Sequence, residues 1–165
     1  MNIETRQFLT SLYGSAVAAA DPARALRPFL PERPKGRLVV VGAGKGAAQL
    51  AAAFEDLWDG PLEGTVVTRY GYGQACPHIH VLEAAHPVPD VAGLAASDAL
   101  FQQVAGLGPD DLVVALICGG GSALLPAPIS GLSFNDEVLV NEVLLASGAP
   151  ISAMNLIRKH VSRIK

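Results

Sequence analysis

The stretch of sequence that decides the fold is RLVVVGAGKG, residues 37–46. Its apolar part, Arg37 to Val41, is β-branched and continuous, which is typical of a strand buried on both faces of a parallel sheet. The glycine-rich turn Gly42 to Gly46 follows directly, and an alanine-rich segment of high helix propensity continues to Trp58. A strand, a tight turn and a helix in this order predict the first unit of an α/β domain.

The same alternation continues along the chain. Further strands are predicted at 64–69, 80–84 and 111–117, and helices at 91–104 and 134–147. Strands that alternate with helices indicate a parallel sheet with right-handed crossovers. We therefore expect an α/β fold built on a Rossmann-like parallel sheet of at least four strands, with helices on both faces.

The segments outside this alternation suggest a division of the chain. Residues 1–34 predict a helical lead-in, which is interrupted by the Asp21-Pro22 pair and ends in a proline-rich linker. Residues 35–150 form the predicted Rossmann-like domain. Residues 151–165 are interpreted as the start of a basic connecting helix without a terminating glycine, so we expect the chain to have been cut inside a longer protein.

Composition narrows the possible classes of function. The 165 residues suffice for about one domain, and a formal net charge of -3 gives no basic surface for nucleic acid. No run approaches the ~20 apolar residues that a membrane span needs. The two cysteines, Cys76 and Cys118, lie far apart and match neither a disulfide framework nor a zinc site. We expect a cytoplasmic protein with no metal-ligating residues and no nucleic-acid or membrane partner.

Two glycine-rich turns carry the candidate chemistry. Gly42, Gly44 and Gly46 lie between a strand and a helix, where small residues let the backbone approach a phosphate. The second turn, Gly119-Gly120-Gly121-Ser122, follows the fourth strand and offers backbone N–H groups and a hydroxyl to an anion. Both turns are expected at the carboxyl edge of the sheet, where open α/β sheets bind ligands. The alternative for the first turn is that its glycines serve only tight strand-to-helix packing.

Three basic side chains follow the predicted strands. Lys45 lies where a helix begins, and a cation there opposes the helix dipole unless an anion binds, so Lys45 is the predicted catalytic residue. Arg69 ends the second strand, where a dinucleotide site usually has an acidic residue for the ribose, and its charge would suit the 2′-phosphate of NADP instead. His86 is predicted to bind substrate or exchange a proton. The alternatives in this loop are a structural hydrogen bond for His86 and a helix cap for Asp90.

Five segments, taken in order, resemble the glycerate 2-kinase family that has a MOFRL-type C-terminal domain, and the likeness covers nearly the whole chain. These segments are residues 41–45, 68–71, 83–90, 118–124 and 155–160. The resemblance implies that this chain is the N-terminal domain of such a protein. Members of that family phosphorylate D-glycerate at its 2-hydroxyl with ATP and Mg²⁺, and many also carry the name hydroxypyruvate reductase.

The resemblance also implies roles for particular residues. Lys45 matches the family's active-site lysine, which would neutralise charge on the transferring phosphoryl group. Arg69, His86 and the two glycine-rich turns would bind substrate or nucleotide phosphate. Because the family's site lies between two domains and takes an arginine from the second, we expect activity to require the missing C-terminal domain of the same protein. Two alternatives stay open: an NADP-dependent hydroxypyruvate reductase, and a ligand-binding or interaction domain without catalysis.

Overall fold

A four-stranded parallel sheet forms the centre of the structure, a computed structural model that describes residues 2–165. Its strands are β1 (Leu38–Ala43), β2 (Glu63–Arg69), β3 (Ile79–Ala84) and β4 (Leu112–Ile117). They are arranged in the order β3-β2-β1-β4, and every neighbouring pair is parallel. This order is the one found in the first half of a Rossmann-like sheet, so the predicted α/β class with at least four parallel strands is confirmed.

The helices follow the predicted alternation. They are α1 (Ile3–Ala19), α2 (Pro22–Leu26), α3 (Ala47–Leu57), α4 (Val91–Val104), α5 (Phe134–Ala146) and α6 (Ile151–Val161), with two short 3₁₀ helices at Arg27–Phe29 and Gly121–Leu124. None of the residues of α1 is buried. No helix within residues 2–165 combines the length and the apolar content needed to cross a bilayer.

Strand β1 pairs on both sides, as β2 does, and five of its six residues are buried. Val39 and Val40 are inaccessible to solvent, as expected for a β-branched run between two parallel neighbours. The strand begins one residue later and ends two residues later than predicted, because Gly42 and Ala43 continue the pairing with both β2 and β4. The glycine-rich turn therefore starts inside the sheet.

Apolar clusters cover both faces of the sheet, which confirms the prediction of helices on both faces. On one face, Val40 and Leu116 pack with Phe54 of α3. On the other face, Val67 packs with Leu100 of α4. Helix α3 joins β1 to β2, and α4 joins β3 to β4. Because α3 packs on the first face and α4 on the second, these two crossovers lie on opposite faces. Burial on two faces leaves the edges of the sheet as the place for a polar site.

The last helix differs from its predicted extent. A basic helix was expected to run to Lys165, but α6 ends at Val161. The chain then pairs with an earlier loop: Ser162 forms an antiparallel bridge with Pro128, and Arg163 donates its N–H to the Ala127 carbonyl at 2.8 Å. These backbone partners replace the next helical turn. The division into segments 1–34, 35–150 and 151–165 stays a prediction.

Candidate functional site

The two glycine-rich turns pack directly against each other at the carboxyl edge. Gly44 has a φ of +134°, and a Cβ there would lie 1.6 Å from the Cys118 carbonyl oxygen. A Cβ on Gly46 would lie 2.8 Å from the Cys118 Sγ. Lys45 donates its N–H to the Gly119 carbonyl at 3.1 Å, which ties one turn to the other. Only glycine fits this approach, so the first turn has a clear packing requirement.

Gly42 lies deeper than predicted, inside β1. It is buried, and a Cβ would lie 2.6 Å from the Leu116 carbonyl oxygen and 2.9 Å from the Val66 Cγ1. The close approach of neighbouring strands explains this glycine without a ligand. Phosphate binding by the first turn stays a prediction, and the packing alternative has direct structural support.

The backbone of Lys45 is fixed while its side chain is free to reach a ligand. The fully buried Thr68 donates its hydroxyl to the Lys45 carbonyl at 3.2 Å, and α3 begins two residues later. Lys45 itself is exposed. Its side chain lies over the second turn, because a Cβ on Gly120 would be 3.0 Å from the Lys45 Cε.

His86 reaches the same point from the loop after β3. The Cβ that Gly120 lacks would be 3.1 Å from the His86 Nε2, next to Lys45. Gly120 adopts the left-handed region with a φ of +87°, which glycine tolerates best. Two predicted site residues, both expected at the same edge of the sheet, therefore converge on a third.

The electrostatic environment keeps His86 neutral. Burial lowers the pKa of its imidazole below the ordinary value of 6.5, and the positive charges of Lys45 and Arg69 lower it further. A neutral imidazole at pH 7 can accept a hydrogen bond or a proton from a hydroxyl group. The charges that lower this pKa also attract an anion to the same edge.

Asp90 holds the loop that carries His86. Its carboxylate accepts N–H groups from Ala85 at 3.2 Å and Gly93 at 3.0 Å and the hydroxyl of Tyr70 at 2.7 Å. The bond to Gly93 caps α4, so the prediction of a cap at Asp90 is confirmed. Although burial opposes ionisation, these hydrogen bonds lower the pKa of Asp90. Asp90 is thus a structural clamp on the His86 loop.

Arg69 lies at the edge of the site and has a partner of its own. Its guanidinium stacks over the Tyr72 ring at 3.7 Å from the centroid. Its Nε is buried and, within residues 2–165, has no hydrogen-bond partner. The positive charge is close enough to His86 to affect that pKa. Arg69 therefore adds positive potential to the edge, and its direct contact with a ligand stays a prediction.

A cleft of about 410 Å³ opens beside the second turn. One wall consists of His86 and residues 120–123, which include the predicted Gly121 and Ser122. The other wall belongs to α5 and α6, and its polar members are Asn155 and Arg158. Sequence reasoning missed these two as site residues, because the segment was interpreted as a connecting helix. The available signal was their i, i+3 spacing, which places both on one helix face.

The described residues gather no metal site. Within residues 2–165 there is no group of three or more His, Cys, Asp or Glu side chains placed to hold an ion. Two acidic residues of α5 have structural partners: Asp136 forms a capping box with Ser133, and the buried Glu137 accepts the Ala127 N–H and the Lys165 ammonium. The positive charge near His86 comes from Lys45 and Arg69.

A model of a protein family described as a domain of unknown function, DUF4147, matches residues 8–165. The chain belongs to the DUF4147 family. A relative from Agrobacterium vitis with the name "Putative hydroxypyruvate reductase" is 53% identical over 165 residues, covering 99% of this chain and 38% of the relative. The glycerate 2-kinase of Pyrococcus horikoshii is 36% identical over 175 residues, covering 99% of this chain and 40% of the relative.

Solved structures agree with this DUF4147 assignment. The crystal structure of a glycerate kinase from Thermotoga maritima superimposes with a TM-score of 0.88 at 31% identity, covering 99% of this chain and 40% of that one. A crystal structure of a Pyrococcus horikoshii protein gives a TM-score of 0.85 at 35% identity over 100% of this chain. The chain thus spans about two fifths of the length of the relatives that it matches.

Proposed function

We propose that this domain supplies the lysine-bearing part of the site of a kinase that transfers phosphate from ATP to the 2-hydroxyl of D-glycerate. The convergence of the Lys45 and His86 side chains over Gly120 carries this proposal. The names of relatives from Pyrococcus horikoshii and Thermotoga maritima, a glycerate 2-kinase and a D-glycerate 2-kinase, support the reaction class.

The chemistry of phosphoryl transfer suits the groups present. Catalysis of this reaction depends on positioning and on neutralising the charge of the transferring group. Lys45 offers an exposed ammonium on a backbone that Thr68 and Gly119 hold in place. His86, kept neutral by its surroundings, can accept a hydrogen bond or the proton of the attacking hydroxyl. The exposed turn at 119–120 can add N–H donors to a phosphate.

Mg²⁺ enters the proposal only through the resemblance to glycerate 2-kinases. Carboxylate and carbonyl oxygens are the ligands that Mg²⁺ prefers, and residues 2–165 gather no cluster of acidic side chains. Mg²⁺ usually needs only one or two carboxylates together with substrate phosphates, and no step assigned to Lys45 or His86 passes through the ion.

We further propose that the site is completed by a second domain. The matched relatives are more than twice as long as this chain, which leaves room for a second wall over Lys45. One face of the edge strand β4 is also uncovered, with Val113 and Ile117 exposed. An exposed apolar strand face at the carboxyl edge suits packing against further protein.

The test uses the complete product of the gene that encodes this chain. Lys45→Ala should lower the rate of 2-phosphoglycerate formation from ATP and D-glycerate by about 100-fold or more, since it removes a charge that acts on the transition state. Because Lys45 is exposed, the free energy of unfolding should not change. Lys35→Ala is the matched control: Lys35 is also exposed, but it precedes β1 at the opposite edge of the sheet. Full turnover in the Lys45 variant would contradict the assignment.

An NADP-dependent hydroxypyruvate reductase is the second candidate, favoured by the name of the Agrobacterium vitis relative and by Arg69 after β2. It should oxidise NADPH in the presence of hydroxypyruvate and the absence of ATP, and Arg69→Ala should then weaken the preference for NADPH. The third candidate is a domain that binds a ligand or partner without catalysis. Calorimetric titration with ATP and D-glycerate separates this non-catalytic domain from the kinase. The kinase should bind both ligands and convert them to products, whereas the non-catalytic domain should form no product.

A further inference from the structure

Arg158 of α6 is a buried cation without an anionic partner. Only 8% of its surface is exposed, and it lines the cleft. Its Nε donates to the Asn141 Oδ1 at 2.8 Å, and one terminal nitrogen lies 3.5 Å from the Asn155 Oδ1. Within residues 2–165 no carboxylate forms an ion pair with it. The buried Glu137, one turn earlier than Asn141, is paired with the Lys165 ammonium instead.

Physical chemistry makes this arrangement unusual for a purely structural residue. A guanidinium has five N–H donors, and two neutral amide oxygens satisfy only a minority of them. A buried charge without a counter-charge is strongly unfavourable, and buried arginines are almost always paired. The unused donors belong to a side chain that borders the cleft, so an anion entering the cleft is the natural partner.

Asn141 fixes the direction of this guanidinium. Its own amide is oriented, because the Nδ2 donates to the Glu137 carbonyl at 2.9 Å and leaves the Oδ1 to accept from Arg158. Asn141 is 1% exposed, so its side chain cannot rotate into solvent. An arginine held through its Nε, with one weak contact from a terminal nitrogen to Asn155, keeps most of its terminal N–H donors available, and these donors can bind a carboxylate through two parallel hydrogen bonds.

We propose that Arg158 binds the carboxylate of the acceptor substrate and that Asn141 is its positioning residue. The inference rests on the proposed function. In a 2-hydroxy acid the carboxylate is bonded to the carbon that bears the reacting hydroxyl. One wall of the cleft carries His86 and Gly120, where Lys45 also arrives, and the other carries Arg158. A short acid can therefore contact both walls at once.

The composition of the cleft favours a carboxylate over a nucleotide polyphosphate. Among residues 2–165, Arg158 is the only lysine or arginine that lines the cleft itself, with Lys45 reaching its border at Gly120, and much of the remaining lining is apolar, with Pro87, Leu145 and Ile151. A polyphosphate carries several charges and needs several cations, whereas one guanidinium matches one carboxylate. The Asn155 amide can add a hydrogen bond to a substrate hydroxyl.

The test measures binding and turnover in the complete gene product. Arg158→Gln should raise the KM and the calorimetric Kd for D-glycerate by about 10- to 100-fold, the value of a charge-assisted pair, and leave the Kd for ATP unchanged. Lys159→Gln is the matched control, because it removes a neighbouring exposed charge from the same helix. A higher Kd for ATP with unchanged glycerate binding would identify a phosphate subsite and overturn the proposal.

A second variant covers the case in which Arg158→Gln fails to fold. Asn141→Asp keeps the size of the side chain but places a carboxylate against the Arg158 Nε, where it competes with the substrate. It should raise the KM for D-glycerate, and an unchanged KM would overturn the proposal. The two hypotheses fail differently. Glycerate binding that depends on Arg158 without phosphate transfer refutes the kinase alone, whereas transfer with a wild-type KM in Arg158→Gln refutes this inference alone.

Discussion

Gly120→Ala separates the geometry of the site from the stability of the fold. Gly120 has a φ of +87° and is exposed, so a methyl group added there affects two things only. The first is the strain of a left-handed backbone. The second is contact with the Lys45 Cε at 3.0 Å and the His86 Nε2 at 3.1 Å.

The two effects have different sizes. A side chain in the left-handed region costs about 1–2 kcal/mol of folding free energy. Ordinary van der Waals contact for a Cβ begins at 3.4 Å, so Lys45 and His86 must each retreat by about 0.3–0.4 Å. A misplacement of about 1 Å costs about 100-fold in rate, so a shift of this size predicts roughly a four- to sixfold loss of kcat/KM.

Urea denaturation and steady-state kinetics on the complete gene product measure both effects, with Gly106→Ala as the control. Gly106 also has a positive φ, +70°, but it lies after α4, and a Cβ there would meet nothing within 4 Å. Both variants should lose a similar amount of stability, and only Gly120→Ala should lose activity. The reasoning is refuted if Gly120→Ala keeps the wild-type kcat/KM or if Gly106→Ala loses as much.

Two further predictions concern the loop between β3 and α4. The pKa of His86 is lowered in the folded state, so below about pH 6.5 the unfolded chain binds more protons than the folded one, and the free energy of unfolding falls as the pH is lowered. In urea unfolding from pH 7.5 to 5, His86→Gln should reduce this pH dependence. An unchanged pH dependence would refute the assignment. Asp90→Ala should cost about 2 kcal/mol because it removes a cap and two further hydrogen bonds, whereas Tyr70→Phe should cost about 1 kcal/mol or less; equal losses in thermal or urea unfolding would contradict this.

The sequence predicted the sheet well because each strand has a strong local signal. The β-branched run before Gly42 and the strand ending at Arg69 are buried on both faces, and such strands are continuous in apolar sequence. Asp90 was recognised as a helix cap for the same reason, since a cap depends on residues three positions apart. Local chemistry determines features of this kind, so one sequence is enough to find them.

The site was predicted less completely because it depends on contacts between distant segments. Lys45 and His86 were expected at one edge, but their meeting over Gly120 follows from the left-handed turn after β4. The roles of Gly44 and Gly46 were ambiguous in the sequence, since phosphate approach and close packing both require glycine. The distance to Cys118 favours packing, and no local pattern reports that distance.

Arg158 shows why a charged residue in a connecting segment can escape sequence analysis. The sequence of α6 does not show whether Arg158 is solvated or buried. Its burial depends on whether α6 packs against Asn141 of α5 and borders the cleft. That packing needs the chain after Val161 to return to residues 127–129, which ends the helix. Arg158 then lines the same cleft as His86. A buried arginine with neutral partners and a lysine just before a helix are each unfavourable without an anion, and the carboxylate of a hydroxy acid at Arg158 with the transferring phosphoryl group at Lys45 would satisfy both.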